Sequence, residues 1–193
     1  MKTLVVATGN MGKLREIAEI FPYWQVVSQK QMGFCEEVEE TGKTFAENAL
    51  IKARAASKAL SCAVLADDSG LCVDALQGAP GIYSARYSGE GDRGNRALLL
   101  ENLKEEENRR AHFHCAVAIV FPDGEEYLAE GETYGNILRE EVGDGGFGYD
   151  PIFESEDIKK SFGVASAEEK NSVSHRYRAL MKMLEILKEE GRL

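Results

Sequence analysis

Positive charge is in short supply in this chain. Its 23 Lys and Arg face 33 Asp and Glu, for a formal charge of −10. A surface this acidic repels polyanions, which argues against nucleic-acid polymers and anionic membranes as partners. A small anion stays within reach, because a local cluster of Lys, Arg and metal outweighs the distant field at short range. Long apolar runs are also missing: nothing approaches the roughly 20 residues of a membrane-spanning helix. The opening MKTLVVA is too short and wrongly flanked for a signal peptide, so a leader is not expected. Cysteine is sparse. Cys35, Cys62, Cys72 and Cys115 stand far apart with no C-x-x-C pair, and three lie in apolar runs where a small hydrophobe fits. They read as reduced thiols, which makes the cytoplasm the expected compartment. Internal repeats and low-complexity segments are absent.

What remains is an ordinary globular composition, 44% apolar and 29% charged, on 193 residues. Such a length buries roughly 70% of its unfolded surface without disulfide or metal staples. One domain over residues 1–193 is expected. Thr3 to Thr8 reads as a buried strand. A helix follows, with Leu14, Ile17, Ala18 and Phe21 on one face and Pro22 beyond its end. A short strand near Gln25 to Ser28 and an alanine-rich helix over Phe45 to Leu60 come next. Two strands are expected to bracket a turn at Asp67-Asp68-Ser69-Gly70, and Gly78-Ala79-Pro80-Gly81 to form a loop. Asp92 to Lys104 reads as a helix. His112 to Phe121 and Glu126 to Arg139 read as strands joined at Pro122-Asp123-Gly124, a hairpin signal. Gly143 to Asp150 is a glycine-rich loop, and a last helix is expected from about Ser174 to Glu190. Mixed elements with one antiparallel hairpin predict an α/β fold with a mixed central β-sheet flanked by helices.

Several stretches carry more than fold information. In ATGNMGK, Ala7 to Lys13, a strand, a glycine turn and a helix start are arranged to aim backbone N–H groups at an anion. Lys13 falls in the first helical turn, against the dipole, as though a bound anion compensated it. It is not a Walker A loop, since the glycines are too close and Leu14 replaces Ser or Thr. A tight turn capped by Asn10 is the plainer alternative. Asp67 and Asp68 place two like charges side by side between apolar runs. A hard divalent cation would relieve their repulsion, or one of them could deprotonate a water. An Asx turn with both acids solvated is the alternative.

Glu36, Glu37, Glu39 and Glu40 form an acidic run, read mainly as a solvated loop from which one member could supply a metal oxygen. Thr44 to Glu47 matches a capping box, and Asn48 and Lys52 share a helix face that could serve a polar site but reads more simply as solvated. GDGGFGYD, Gly143 to Asp150, lets the backbone approach a ligand closely and offers Phe147 or Tyr149 for stacking on a base. Lys170, His175 and Arg176 are cations that would oppose a helix N-terminus unless a ligand explains them. His112 and His114 share one face of a strand, and without a third ligand they read as structural.

Taken in order, ATGNMGK, FAENALIKA, LADDSGL, GAPGIYSARYSG, GFGYDPIF and SHRYRAL resemble the inosine triphosphate pyrophosphatase family, in its bacterial branch acting on dITP and XTP. The resemblance runs from Leu4 to Leu187. It implies a homodimer, two lobes with a deep substrate cleft, and Mg²⁺-dependent hydrolysis of non-standard purine nucleoside triphosphates to monophosphate and pyrophosphate, which cleanses the nucleotide pool. It further implies Asp68 as proton acceptor and metal ligand, Glu39 as the other metal ligand, and Asp67 as support for the metal or its waters. Thr8, Gly9, Asn10, Met11, Gly12 and Lys13 correspond to the triphosphate-cradling loop, and Ser69 to a substrate contact. Phe147, Gly148, Tyr149 and Asp150, with Lys170, His175 and Arg176, correspond to the base side. A donor such as Arg176 or His175 would pair with the 6-oxo group of hypoxanthine or xanthine and be left unpaired by adenine. Three rivals stand beside this reading: a pyrophosphatase of broader base specificity, a non-catalytic nucleotide sensor, and an aspartyl phosphatase. The last lacks the D-x-D that its chemistry requires.

Overall fold

The structure is a computed structural model and describes residues 2–193. Among the described residues, six strands form one mixed sheet in the order β2-β1-β3-β4-β5-β6, accompanied by five α-helices. The expected α/β class and mixed sheet hold. The chain divides into two compact units, and three strands belong partly to each: β3 (Ala63–Val73), β4 (Arg110–Val120) and β5 (Glu126–Ile137). No helix among the described residues is long and apolar enough to cross a membrane.

The first unit comprises residues 2–68, 115–131 and 178–193. Its centre is β1 (Lys2–Val6), a β-branched run paired in parallel with β2 (Trp24–Ser28) on one side and β3 on the other. Parallel neighbours must be covered on both faces, which is why Leu4, Val5 and Val6 are all buried. Helix α1 (Met11–Ile20) packs Leu14 and Ile17 into this core, and most of α5 (His175–Glu189) adds Leu180, Met183, Leu184 and Leu187. Helix α2 (Phe45–Leu60) buries Ala49, Ala53 and Ala56. Its start is built from side chains: Thr44 Oγ accepts from the Glu47 amide at 3.1 Å. The returning bond of the expected capping box goes one residue early, Glu47 Oε2 accepting from the Lys43 amide at 2.6 Å. The hairpin between β4 and β5 closes where predicted, with the Phe121 amide donating to Glu125 O at 2.9 Å.

The second unit comprises residues 69–114 and 132–177. Its core joins Leu71 and Val73 of β3, Phe113 of β4 and Ile137 of β5 to Leu99 of α3 (Gly91–Asn102), with Phe153 and Phe162. Phe113 and Phe153 meet at 4.6 Å between ring centroids and 57° between planes, a favoured offset geometry. Strand β6 (Phe153–Ser155) pairs antiparallel with the end of β5. A Cβ at Gly135 would sit 2.2 Å from the Glu154 carbonyl oxygen, so glycine is required for that approach. Arg109 donates to the carbonyl oxygens of Leu103, Ile137 and Leu138 at 2.6, 2.9 and 2.6 Å, satisfying backbone acceptors just past α3 and at the end of β5.

One expectation is corrected here, and one element is new. The DDSG stretch is no turn: Ala63 to Val73 is one continuous strand of 11 residues. Ladder pairing and burial on both flanks override the local turn preference of Asp, Ser and Gly. Residues 167–173 form a further short helix, α4 (Ala167–Val173), closed at its start by a Ser166–Glu169 capping box. Its seven residues fall below the length at which hydrophobic periodicity is legible.

Candidate functional site

The first group of residues lies wholly in the first unit. The end of β1 leads through Thr8 and Gly9 into α1, whose N-cap is Asn10. Thr8 Oγ accepts from the Asn10 amide at 3.1 Å, and Asn10 Oδ1 accepts from the amides of Gly12 and Lys13 at 2.8 and 3.2 Å. The loop is thus pre-shaped by its own side chains. Met11 is exposed beside it. Lys13 reaches inward, its Nζ donating to Asp67 Oδ2 at 2.7 Å. Asp67 therefore gives Lys13 a counter-charge within the fold at its unfavourable place in the first turn. The Lys30 ammonium lies 4.0 Å from where a Cβ on Gly9 would stand, a cation beside the loop that sequence reasoning did not single out.

Asp67 and Asp68 project from the middle of β3 with different surroundings. Asp67 is buried, 4% exposed, against the lysine. Asp68 is partly open. Asn48 Nδ2 donates to its Oδ2 at 3.2 Å, and Lys52 Nζ stands 3.8 Å from its Oδ1. Burial, above all, pushes the Asp68 carboxyl above the usual aspartate range; Lys52 and Asn48 pull it down, while Glu40 and Asp67 push it up. Lys52 also pairs with Glu40 at 2.6 Å and donates to the Asp67 carbonyl at 2.8 Å. Within the acidic run, Glu39 is exposed, and Glu40 is the member whose charge acts on Asp68.

Asn48 and Lys52 are a correction to the solvated-face reading. Asn48 is fully buried, and its Oδ1 accepts from the Gly42 amide at 2.8 Å. A polar pair four residues apart on a helix otherwise packed with alanine was the available signal.

The second group lies wholly in the second unit. Ser69, Phe147, Gly148, Tyr149, Asp150, Lys170, His175 and Arg176 all line one cavity of about 140 Å³, roughly ten times the space one water needs. Tyr149 is buried and its hydroxyl donates to the Ser84 carbonyl at 2.8 Å; burial foremost raises its phenol well above the ordinary range. Asp150, 2% exposed, accepts from the Phe147 amide at 2.8 Å and from Lys170 Nζ at 2.5 Å. A Cβ at Gly146, whose φ is +73°, would fall 2.1 Å from the Asp150 carboxylate, so this turn needs glycine.

Lys170 lies in the last turn of α4, where a cation suits the dipole, and not at a helix N-terminus as expected. Its ammonium also sits 4.3 Å from the centroid of the exposed Phe147 ring. His175 stacks on Phe113 at 5.0 Å and 15° and is buried, as is Arg176. Helix α3 supplies two residues that sequence reasoning missed: Asp92 accepts from the Gly148 amide at 2.9 Å, and Arg96 donates to the Gly148 carbonyl at 2.8 Å. Both backbone polar groups of Gly148 are therefore held by α3.

Chemically, the first unit holds paired carboxylates braced by two lysines, and the second holds a pocket lined by aromatic rings together with Lys170, His175 and Arg176. Together with the mixed sheet, these define an α/β protein of the nucleotide-handling kind. The chain belongs to the Ham1 family, whose profile matches residues 4–186. It is 49% identical to the dITP/XTP pyrophosphatase of Bacillus anthracis over 98% of each chain. To that of Bacillus subtilis it is 47% identical, over 97% of this chain and 98% of the other. The structure of the Staphylococcus aureus Ham1 protein superposes with a TM-score of 0.93 at 43% identity, covering 98% of this chain and 100% of that one. A nucleoside-triphosphatase / dITP/XTP pyrophosphatase from Mycobacterium abscessus gives a TM-score of 0.81 at 46% identity, over 95% and 99% of the two chains.

Proposed function

We propose that this chain is a nucleoside triphosphate pyrophosphatase that hydrolyses dITP, ITP, XTP and dXTP to the monophosphate and pyrophosphate, removing them from the nucleotide pool. Relatives at about half identity over the whole length, named for dITP and XTP, support the reaction and the substrate class. The observation that carries the reading is the asymmetry of the aspartate pair. Asp67 is locked to Lys13, while Asp68 is partly open and aimed by Asn48. A locked acid is a poor base, so Asp68 takes the role of proton acceptor.

The step follows from that assignment. Thr8 to Lys13 hold the triphosphate, with Lys13 as point charge and the start of α1 as dipole. A water attacks the α-phosphorus and an O–P bond forms. The water's proton passes to Asp68. The bond from the α-phosphorus to the bridging oxygen breaks, and pyrophosphate leaves.

A divalent cation belongs to this proposal. The donor set implied by the family resemblance, Asp68, Asp67 and Glu39, is all oxygen, which suits Mg²⁺, although among the described residues these three are not gathered into one metal-sized cluster. Burial pushes the Asp68 carboxyl above the usual aspartate range, and a nearby cation would draw it back down. When bound, Mg²⁺ would polarise the phosphoryl oxygens and stabilise the leaving pyrophosphate.

The base enters the second unit's cavity against Phe147 and Tyr149, with Arg176 or His175 donating to a 6-oxo group. Residues 1–193 then act as one catalytic domain. The enzyme is proposed as a cytoplasmic homodimer without nucleic-acid polymer or membrane partners, in keeping with its charge of −10. The test is pyrophosphate release with Mg²⁺ across ITP, XTP, GTP, ATP and dCTP, for wild type and Asp68→Asn. Release from ITP and XTP, lost in the variant, is expected. Flat activity across the five would overturn the base pocket, and no release from any would favour a non-catalytic sensor.

A further inference from the structure

The two histidines left over from the sequence acquire a third partner in the fold. Along β4 burial alternates: Ala111 and Phe113 point into the second unit's core, while His112 and His114 share the other face. Along β5, Glu132 and Tyr134 lie on the more open positions, with Thr133 buried between them. The result is a convergence of two imidazoles and one carboxylate. His114 Nδ1 lies 3.0 Å and His112 Nε2 4.0 Å from the same oxygen, Glu132 Oε1. One ligand atom from each of the three residues lies within 4.8 Å of the others.

We infer that His112, His114 and Glu132 form a binding site for a zinc-class transition-metal ion, clamping strands β4 and β5 in the second unit. Three features support this beyond a histidine–carboxylate ion pair. The donors are the right kind, since imidazole nitrogen with one carboxylate oxygen favours Zn²⁺ and its neighbours over Mg²⁺ or Ca²⁺, which prefer oxygen alone. The carboxylate is oriented, because the Tyr134 hydroxyl donates to Glu132 Oε2 and leaves Oε1 toward the imidazoles. Access is open, since the side chains of His112, His114 and Glu132 are 22%, 16% and 37% exposed.

Tetrahedral coordination with bonds of about 2.0 Å sets ligand atoms about 3.3 Å apart. Ring rotations of about one ångström therefore suffice to close the site. Three protein ligands leave a fourth position for water. None of the three residues belongs to the set proposed for nucleotide or Mg²⁺.

The test is a titration of the full chain with Zn²⁺ in excess Mg²⁺, followed calorimetrically, on wild type, His112→Ala, His114→Ala, Glu132→Gln and Asp68→Asn. One zinc per chain is expected. Each of the first three substitutions should weaken it at least tenfold, and Asp68→Asn should leave it unchanged. With Co²⁺ as probe, wild type should show the intense visible bands of four-coordinate cobalt, lost in His114→Ala and without a sulfur charge-transfer band. Far-UV circular dichroism checks the fold of each variant, and His114→Gln, closer in volume, replaces any alanine variant that fails it. Zinc affinity indifferent to all three substitutions, or lost in Asp68→Asn, would overturn the inference. A thiolate band would overturn the three-residue ligand set.

Discussion

The ammonium of Lys13 and the carboxylate of Asp67, 54 residues apart in the chain, meet at 2.7 Å, with the aspartate side chain 3% exposed. A helix start and the middle of a buried strand are tied by one charge pair. Asp67 pairs with Lys13, while its neighbour Asp68, its side chain 13% exposed, faces Asn48 and Lys52.

Breaking that pair from one side leaves a buried charge. Lys13→Met should therefore cost about 2–4 kcal/mol of stability in urea unfolding, somewhat below a fully buried pair because the lysine is partly exposed. Combining Lys13→Met with Asp67→Asn should recover most of that loss while activity stays abolished. An additive double variant would show that the two groups are not coupled.

If Asp68 is the proton acceptor as proposed, Asn48, which donates to it, acts as a positioning residue. Replacing it with Leu removes a 3.2 Å hydrogen bond to the carboxylate and the 2.8 Å acceptor of the Gly42 amide. Pyrophosphate release should fall in kcat by roughly tenfold to a hundredfold with KM little changed. A matching rise in KM alone would instead place Asn48 in binding.

Base choice should respond to Arg176. Arg176→Ala is expected to raise KM for ITP by roughly tenfold to a hundredfold, the equivalent of one buried polar contact, and to leave ATP nearly unaffected. Equal effects on both nucleotides would remove Arg176 from the 6-oxo contact.

A pH-dependent clamp closes the first unit's hairpin. Arg192 bonds Asp123 at 2.8 Å and also pairs with Glu125. Asp123 is lowered first by the Glu125 amide and then by Arg192; Glu125 is lowered first by Tyr127 and then by Arg192. Carboxyls lowered in the folded state contribute stability above their unfolded pKa, and that contribution is lost as pH falls through the folded values. Arg192→Ala should therefore unfold at lower denaturant than wild type at neutral pH, with the gap closing in acid below the ordinary carboxylate range. A gap independent of pH would assign the effect to Arg192's packing over Phe121, 4.7 Å from the ring centroid.

Much of this was legible in the chain because the signals are local. The spacing of Leu14 and Ile17, the Thr44 cap, the alanine face of α2 and the Pro122-Asp123-Gly124 hairpin each report on neighbours within one turn of helix or one reversal. The candidate residues stood out for a different reason: charged or glycine-rich stretches interrupt apolar runs, and the resemblance to a pyrophosphatase family supplied their expected roles. Where local chemistry and long-range pairing conflict, sequence reasoning fails. Asp67-Asp68-Ser69-Gly70 has turn composition yet continues a strand of 11 residues, because sheet neighbours supply the hydrogen bonds a turn would otherwise make.

Sequence alone determined the α/β class, the paired aspartates, the loop at Thr8 to Lys13 and the aromatic-glycine loop at Gly143 to Asp150. Partners distant in the chain were decided by tertiary structure: Lys13 with Asp67, Asn48 and Lys52 with Asp68, Asp92 and Arg96 with Gly148, and Glu132 with His112 and His114. The physical reason is range. Periodicity and capping act within a few residues, whereas charge pairing and ligand convergence depend on distances that exist only after strands pair and helices bury their faces.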